Sequence, residues 1–220
     1  MPKAPFPPDV FNLDCHLCPR LSQFLDTVKA EHPQYHCRPV EPFGIKHPGL
    51  LIVGLAPGKH GANATGRPFT GDHAGVILYE TLHKFGFSNQ PESTARDDGL
   101  KLKNCRITNA VKCLPPENKP TGGEIKTCNP YLAAELAGLK KGAVILALGG
   151  IAHKAVISAL GLKQADHPFG HGLKYPLSRG QQLLTSYHCS RYNTQTRRLT
   201  TAMFEQIFRD IQCLLDKGNR

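Results

Sequence analysis

The chain's 220 residues, 40% of them hydrophobic, suffice for one α/β domain with a full core and fall short of two. No apolar stretch approaches a membrane span, and the Pro-rich opening MPKAPFPPDVF lacks the apolar centre of a signal peptide, so a cytoplasmic location is expected. A formal charge of +10 and a pI near 9.3 point to a polyanion partner while saying nothing about fold.

Residues 1–14 read as an irregular lead-in. Cys15-His16-Leu17-Cys18 follows, then a helix over about 20–31 with Leu21, Phe24, Leu25 and Val28 on one face. Residues 32–49 are loop-like. The apolar run 50–55 is the first strand, and it ends in a polar loop punctuated by Gly and Pro. That loop feeds a helix over 74–85, with Ala74, Ile77, Leu78, Leu82 and Phe85 at helical spacing. Residues 86–104 are polar and turn-rich, and 105–111, CRITNAV, is the second strand. A Pro-rich loop over 112–127 precedes a helix from roughly 130 to 141. The nearly continuous apolar run 143–148 is a buried third strand, which Gly149-Gly150 turns into a helix ending near 161. Segment 167–180 has the Gly, His and Pro content of a turn or short hairpin, and 182–187 is a fourth strand. A polar loop over 188–198 leads to the last helix, 200–217, with Phe204, Ile207, Phe208, Ile211 and Leu215 on its apolar face.

Strands alternating with helices imply βαβ units. The expected architecture is a single three-layer α/β/α domain over residues 1–220, with a central four-stranded parallel sheet. In such sheets ligands bind beyond the carboxyl ends of the strands.

Eight cysteines in a cytoplasmic chain suggest metal ligation rather than a disulfide framework. Cys15 and Cys18 share one turn, while Cys113 and Cys128 bracket the loop KCLPPENKPTGGEIKTC. Four thiolates from two separated segments suit a structural zinc or a [4Fe–4S] cluster, and spacing does not separate the two. Cys37, Cys105, Cys189 and Cys213 read as small core hydrophobes.

Three segments, GLAPGKHGANATGRPFTGD, ITNAVKCLPPENKPTGGEIKTC and SYHCSRYNTQTRRLT, occur in that order within the cysteine frame. Together they resemble the family-five (type b) uracil-DNA glycosylases of bacteria and archaea, from Cys15 to the final helix. The resemblance implies the fold just described and a structural [4Fe–4S] cluster, rather than zinc, on Cys15, Cys18, Cys113 and Cys128. It also implies hydrolysis of the N-glycosidic bond of uracil, and of other deaminated bases such as hypoxanthine, in DNA base excision repair. A monomer working on damaged DNA in a prokaryotic cytoplasm, with no membrane partner, follows from the same resemblance.

Matched motif by motif, Asp72 of FTGD resembles the catalytic acidic residue of family five, and Phe69 the aromatic that stacks on an extruded base. Asn109 resembles the asparagine that reads the base edge. His188 matches the histidine of a His-Pro-Ser motif whose proline is Cys189 here and whose serine is Ser190. That substitution loosens the backbone and offers a thiol in a loop that presses on the minor groove. Gly54, Ala56, Asn63 and Ser190 are assigned to base binding; Arg67, Arg191, Tyr192 and Lys59 are assigned to DNA contact. The first motif begins GLAPG, without the polar residue that family four carries in GEAPG, so the charge chemistry falls on Asp72.

The residue types suit the reaction. A base inside a duplex must be flipped out before its C–N bond can be broken. The transition state then pairs a cationic sugar with an anionic leaving base. Asp72 supplies a negative charge and a proton acceptor, His188 a donor to the base, and Asn109 both a donor and an acceptor. Plainer readings stand beside these: an Asp before a helix is an ordinary N-cap, and a Phe is more often core than stacking platform. Two rival functions are a non-catalytic iron–sulfur or zinc nucleic-acid-binding protein and a narrower, family-four-like glycosylase.

Overall fold

A computed structural model describes residues 11–218, so most of the expected lead-in lies outside the described residues. Its elements are α1 (Pro19–Glu31), β1 (Phe43–Gly44), β2 (Leu50–Gly54), α2 (Ala62–Thr65), α3 (His73–Lys84), β3 (Cys105–Asn109) and α4 (Gly122–Ala137). These are followed by β4 (Val144–Leu148), α5 (Gly150–Ala159), β5 (Lys174–Pro176), β6 (Gln182–Ser186), α6 (Arg191–Gln195) and α7 (Thr201–Gly218).

The sheet has six strands in the order β1-β3-β2-β4-β6-β5. The four central strands are parallel, as expected from the sequence, with Leu50 opposite Cys105 and Val144, and Val144 opposite Gln182. Two short antiparallel strands, β1 and β5, extend the edges and make the sheet mixed. Their three residues or fewer carry too little periodicity to stand out in the sequence, although β5 with β6 realises the expected hairpin in 167–180.

Period-two alternation sends successive strand residues to opposite faces, and both faces are covered. Leu50, Ile52, Ile107, Val144, Leu146 and Leu184 pack with Leu78 and Leu82 of α3 and with Phe204, Ile207, Phe208 and Ile211 of α7. Leu51, Val53, Ile145, Ala147 and Leu183 meet Leu132 and Leu136 of α4 and Ala155 and Val156 of α5. Each such buried side chain contributes roughly 1.5–3 kcal/mol, so the layers are held chiefly by this core. Cys213 departs from expectation. It is exposed, because α7 buries its 204, 207, 208 and 211 positions and residue 213 falls on the far side.

Helix α4 begins about eight residues before the expected start. A capping box decides this: Thr121 Oγ1 accepts from the Glu124 N–H, and Glu124 Oε2 accepts from the Thr121 N–H at 2.7 Å. Pro130, which reads as a first-turn proline, sits inside the helix. Glu124 also pairs with Arg20 at 2.7 Å, tying α4 to α1.

Helix α3, after β2, covers one face of the sheet, whereas α4 and α5, after β3 and β4, cover the other. The connections leaving β2 and its neighbours therefore part at the carboxyl edge, and a crevice opens there.

Candidate active site and cysteine cavity

A cavity of ≈ 430 Å³ fills that crevice, lined by Ala56, Phe69, Asp72, Asn109, His188, Ser190 and Arg191 among others. Its size falls in the range of small-molecule sites, roughly 300–1,000 Å³. Four connections supply the walls: the loop after β2, the end of β3, the loop after β6, and Asn118 from the segment between β3 and α4.

The first wall is built around a tight turn. Phe69 has φ 55° and Gly71 φ 77°, so the turn reverses through left-handed backbone. For a phenylalanine that conformation costs of order 1–3 kcal/mol, strain of the kind that gathers at functional sites. Gly75 is required beneath it, because a Cβ there would lie 1.9 Å from the Phe69 carbonyl oxygen. Asp72 then caps α3, its Oδ1 accepting from the Gly75 N–H at 2.8 Å. The capping reading is therefore realised, and the same carboxylate also lines the cavity. Its other oxygen lies over Gly61, where a Cβ would come within 2.7 Å of Oδ2. Burial raises the Asp72 pKa above the ordinary carboxylate value, against the pull of the capping N–H groups.

Asn109 ends β3, buried to 3% exposure, and its Oδ1 has no hydrogen-bond partner. A buried amide oxygen left open costs roughly 1–3 kcal/mol unless something arrives to satisfy it. Gly54 makes room for it: a Cβ there would meet Asn109 Oδ1 at 2.5 Å and the Phe69 ring at 2.7 Å. The assignment of Gly54 thus acquires a physical reason, namely close approach of the base-reading and stacking side chains.

His188 follows β6 and lies against Phe69, ring centroids 5.9 Å apart and 27° from parallel. Burial pulls its pKa down to about 4, so the imidazole is neutral at physiological pH. Asn193 Nδ2 donates to the His188 carbonyl at 2.8 Å, and Ser190 caps α6 by accepting from the Asn193 N–H. The stretch 188–198 reads as loop because α6 is only five residues long. His73 Nε2 and Thr194 Oγ1, 3.0 Å apart, link α3 to α6 beside the cavity.

Not every expected residue arrives here. Arg67 is only 3% exposed; its guanidinium is held by Asp98, Ser93 and Thr70, and it stacks over Phe43. It cannot reach DNA, and instead braces the loop after β2 against the segment 93–98. Asp98 is correspondingly held well below the ordinary carboxylate range by Arg67 and backbone N–H groups, outweighing its desolvation. Asn63 is fully buried, donating to Cys37 Sγ at 3.4 Å, and does not line the cavity. Cys189 is fully buried in the core, so the thiol that replaces the motif proline is not offered to DNA. Burial, with the nearby Asp72 charge, pushes that thiol's pKa up. Arg191 and Tyr192 are exposed on α6, and Lys59 pairs with Glu31 at 2.8 Å. The sequence reading passed over Asn118, Asn193 and His73; a positive φ at Asn118 after Pro-Pro-Glu leaves only a turn signal in the sequence.

Cys15, Cys18, Cys113 and Cys128 line one second cavity, narrow at ≈ 20 Å³, which Leu21 of α1, Val111 and Tyr131 help to enclose. The Lys112 N–H donates to Cys128 Sγ at 3.3 Å and the Tyr131 hydroxyl to Cys15 Sγ at 3.5 Å. Burial first, then mutual repulsion, pushes the Cys18 thiol up to about 12 and raises Cys113. Among the described residues, no three His, Cys, Asp or Glu side chains are gathered as for a single ion.

With this geometry in place, the comparisons are decisive. Residues 41–212 match the family model described as the uracil DNA glycosylase superfamily. The chain belongs to that superfamily, in its type-5 branch. It is 46% identical to a type-5 uracil-DNA glycosylase of Thermus thermophilus, over 91% of this chain and 93% of that protein. It is 40% identical to the type-5 enzyme of Pyrobaculum aerophilum, over 92% and 91%. A type-4 uracil-DNA glycosylase of the same archaeon is 39% identical over only 51% of this chain. Membership of this superfamily fits an open carboxyl-edge cavity beside a separate cluster of four thiols. No helix among the described residues is long and apolar enough to cross a membrane.

Proposed function

We propose that this chain is a monofunctional DNA glycosylase of base excision repair, acting as one domain and as a monomer, which hydrolyses the N-glycosidic bond of uracil and related deaminated bases. The observation that carries the reading is the buried, unpartnered Asn109 Oδ1 on a cavity that also holds Asp72, Phe69 and His188. An extruded base stacks on Phe69 and satisfies Asn109, whose amide supplies both a donor and an acceptor to its edge. As the C–N bond breaks, charge gathers on the base. Neutral His188 donates its ring N–H to a base carbonyl, needing no proton from solution. Asp72, ionised and held by the α3 N-terminus, faces the cationic sugar and positions the attacking water. The cavity's ≈ 430 Å³ supports acceptance of a bicyclic base such as hypoxanthine.

A [4Fe–4S] cluster on Cys15, Cys18, Cys113 and Cys128 fits the second cavity. A single zinc would draw all four sulfurs to about 2.3 Å from one point, a tighter gathering than the one found. The raised thiol pKa values mark a site that needs a cationic centre, and the Lys112 N–H and Tyr131 hydroxyl supply donors of the kind that tune cluster sulfurs. When bound, the cluster supplies a structural cross-link between α1, the end of β3 and α4.

Release of free uracil from a labelled duplex tests the activity, and a base panel tests its range. Covalent trapping of the enzyme on uracil-containing DNA by borohydride would overturn the hydrolytic mechanism. Iron and labile sulfide in equal amounts are expected of the purified protein; stoichiometric zinc without iron would overturn the cluster.

A further inference from the structure

The active face does not account for the chain's charge. At the opposite, amino edge of the sheet, four connections run side by side because the strands they enter are neighbours: 101–104 before β3, 45–49 before β2, 138–143 before β4, and 178–181 before β6. They are stitched together. Asn104 Oδ1 accepts from the Gly49 N–H at 2.7 Å and from Lys140 Nζ at 3.3 Å. The Val144 N–H donates to the Gly49 carbonyl at 2.7 Å, and the Gly142 N–H to the Arg179 carbonyl at 3.1 Å. Gln181 Nε2 donates to the Lys140 carbonyl at 3.0 Å.

These connections carry Lys46, Lys101, Lys103, Lys140, Lys141 and Arg179, all exposed, and no carboxylate. None of the six is ion-paired among the described residues. Four neighbouring strands at about 4.8 Å spacing set the outer connections about 15 Å apart. One nucleic-acid strand advances about 3.4 Å per phosphate, so that row spans about four phosphates. A concentrated field of one sign, without the apolar surface a lipid or folded protein partner would bury, suits a phosphodiester backbone.

We propose that this amino edge is a second DNA-binding surface, which takes the backbone of an undamaged segment while the carboxyl edge engages a lesion. The occupant is DNA rather than an acidic protein because the enzyme's own substrate brings further DNA to it at high local concentration. The contact is sequence-independent and salt-sensitive, and it lets the enzyme pass between segments without full release.

The test uses the full chain and the variant K46E/K101E/K103E/K140E. Protein bound to a bead-held uracil duplex is offered a fluorescent undamaged duplex, and affinity for the undamaged duplex is measured against salt. Capture should fall at least about tenfold in the variant, and the slope of log affinity against log salt should flatten by roughly two or more. Excision from a short uracil duplex should stay within about twofold. Should the variant melt early, the corresponding Lys→Gln set at unchanged Tm must show the same losses in weaker form. Unchanged capture and slope would overturn the proposal, as would capture of polyglutamate in preference to duplex. The readout is binding of undamaged DNA, so its failure is distinct from failure to release uracil.

Discussion

The two cavities at the carboxyl side of the molecule are built on opposite principles. In the base cavity, polar groups are left open: Asn109 Oδ1 has no partner, the His188 ring makes no hydrogen bond among the described residues, and Asp72 is desolvated yet ionisable. In the cysteine cavity the walls are largely apolar, and Lys112 and Tyr131 aim donors at two of the four sulfurs. The first arrangement costs stability until a ligand arrives and so favours binding followed by release. The second favours permanent retention. Five consecutive residues, from Asn109 to Cys113, join them, so the base-reading amide and one cysteine ride on the same short segment.

Breaking the charge in the open cavity should have the largest effect. Asp72→Asn keeps a side-chain oxygen for the α3 cap but loses the negative charge, so single-turnover excision should slow by about 10²–10⁴-fold with duplex affinity nearly unchanged. Excision at the normal rate would return Asp72 to a purely capping role. Next in size is a loss of stability rather than of catalysis. Arg67→Met removes one partner of a buried ion pair and should cost about 3–5 kcal/mol, lowering Tm by about 10 °C. Weakened DNA affinity at unchanged Tm would instead make Arg67 a DNA contact.

Gly54→Ala sharpens the comparison within the pocket. Its methyl would displace Asn109 and the Phe69 ring, so kcat should fall about tenfold, or about 1.4 kcal/mol, while iron content is unchanged. The pH profile should show one acid limb. Asp72 must be ionised, and burial raises its pKa, so excision should fall as pH drops through a value above that of a free aspartate. His188 contributes no limb near neutrality, because it stays uncharged down to about 4. Its lowered pKa also means that the folded state resists its protonation. The associated stability is present above the ordinary histidine value of 6.5 and is lost as pH falls from there towards 4. A bell-shaped profile with a limb near 6.5 would show His188 titrating in the open. The smallest effect is expected at the rim: Tyr192→Ala, on an exposed ring, should raise KM by about two- to fivefold and leave kcat alone, roughly 0.5–1 kcal/mol of binding.

Much of this was legible in the sequence because it rests on local pattern. The four central strands, the long helices and the cysteine frame follow from apolar periodicity and residue type, and the polar loop after β2 announces a carboxyl-edge site. The start of α4 was legible too, in Thr-Gly-Gly-Glu, but Pro130 is the more conspicuous signal and points eight residues too late. Other features depend on where a loop folds back. Arg67, in a polar loop of a basic chain, reads as a DNA contact until Asp98, 31 residues later, is found beside it. Asn63 and Cys189 likewise turn inward, towards neighbours that no local spacing identifies. Residue type and periodicity alone therefore determined the layers, the order of elements and the chemistry on offer. Only the tertiary structure decided which polar side chains are spent on holding the loops and which, like Asn109 and His188, remain open to a substrate, because hydrogen-bond satisfaction depends on packing between segments distant in the chain.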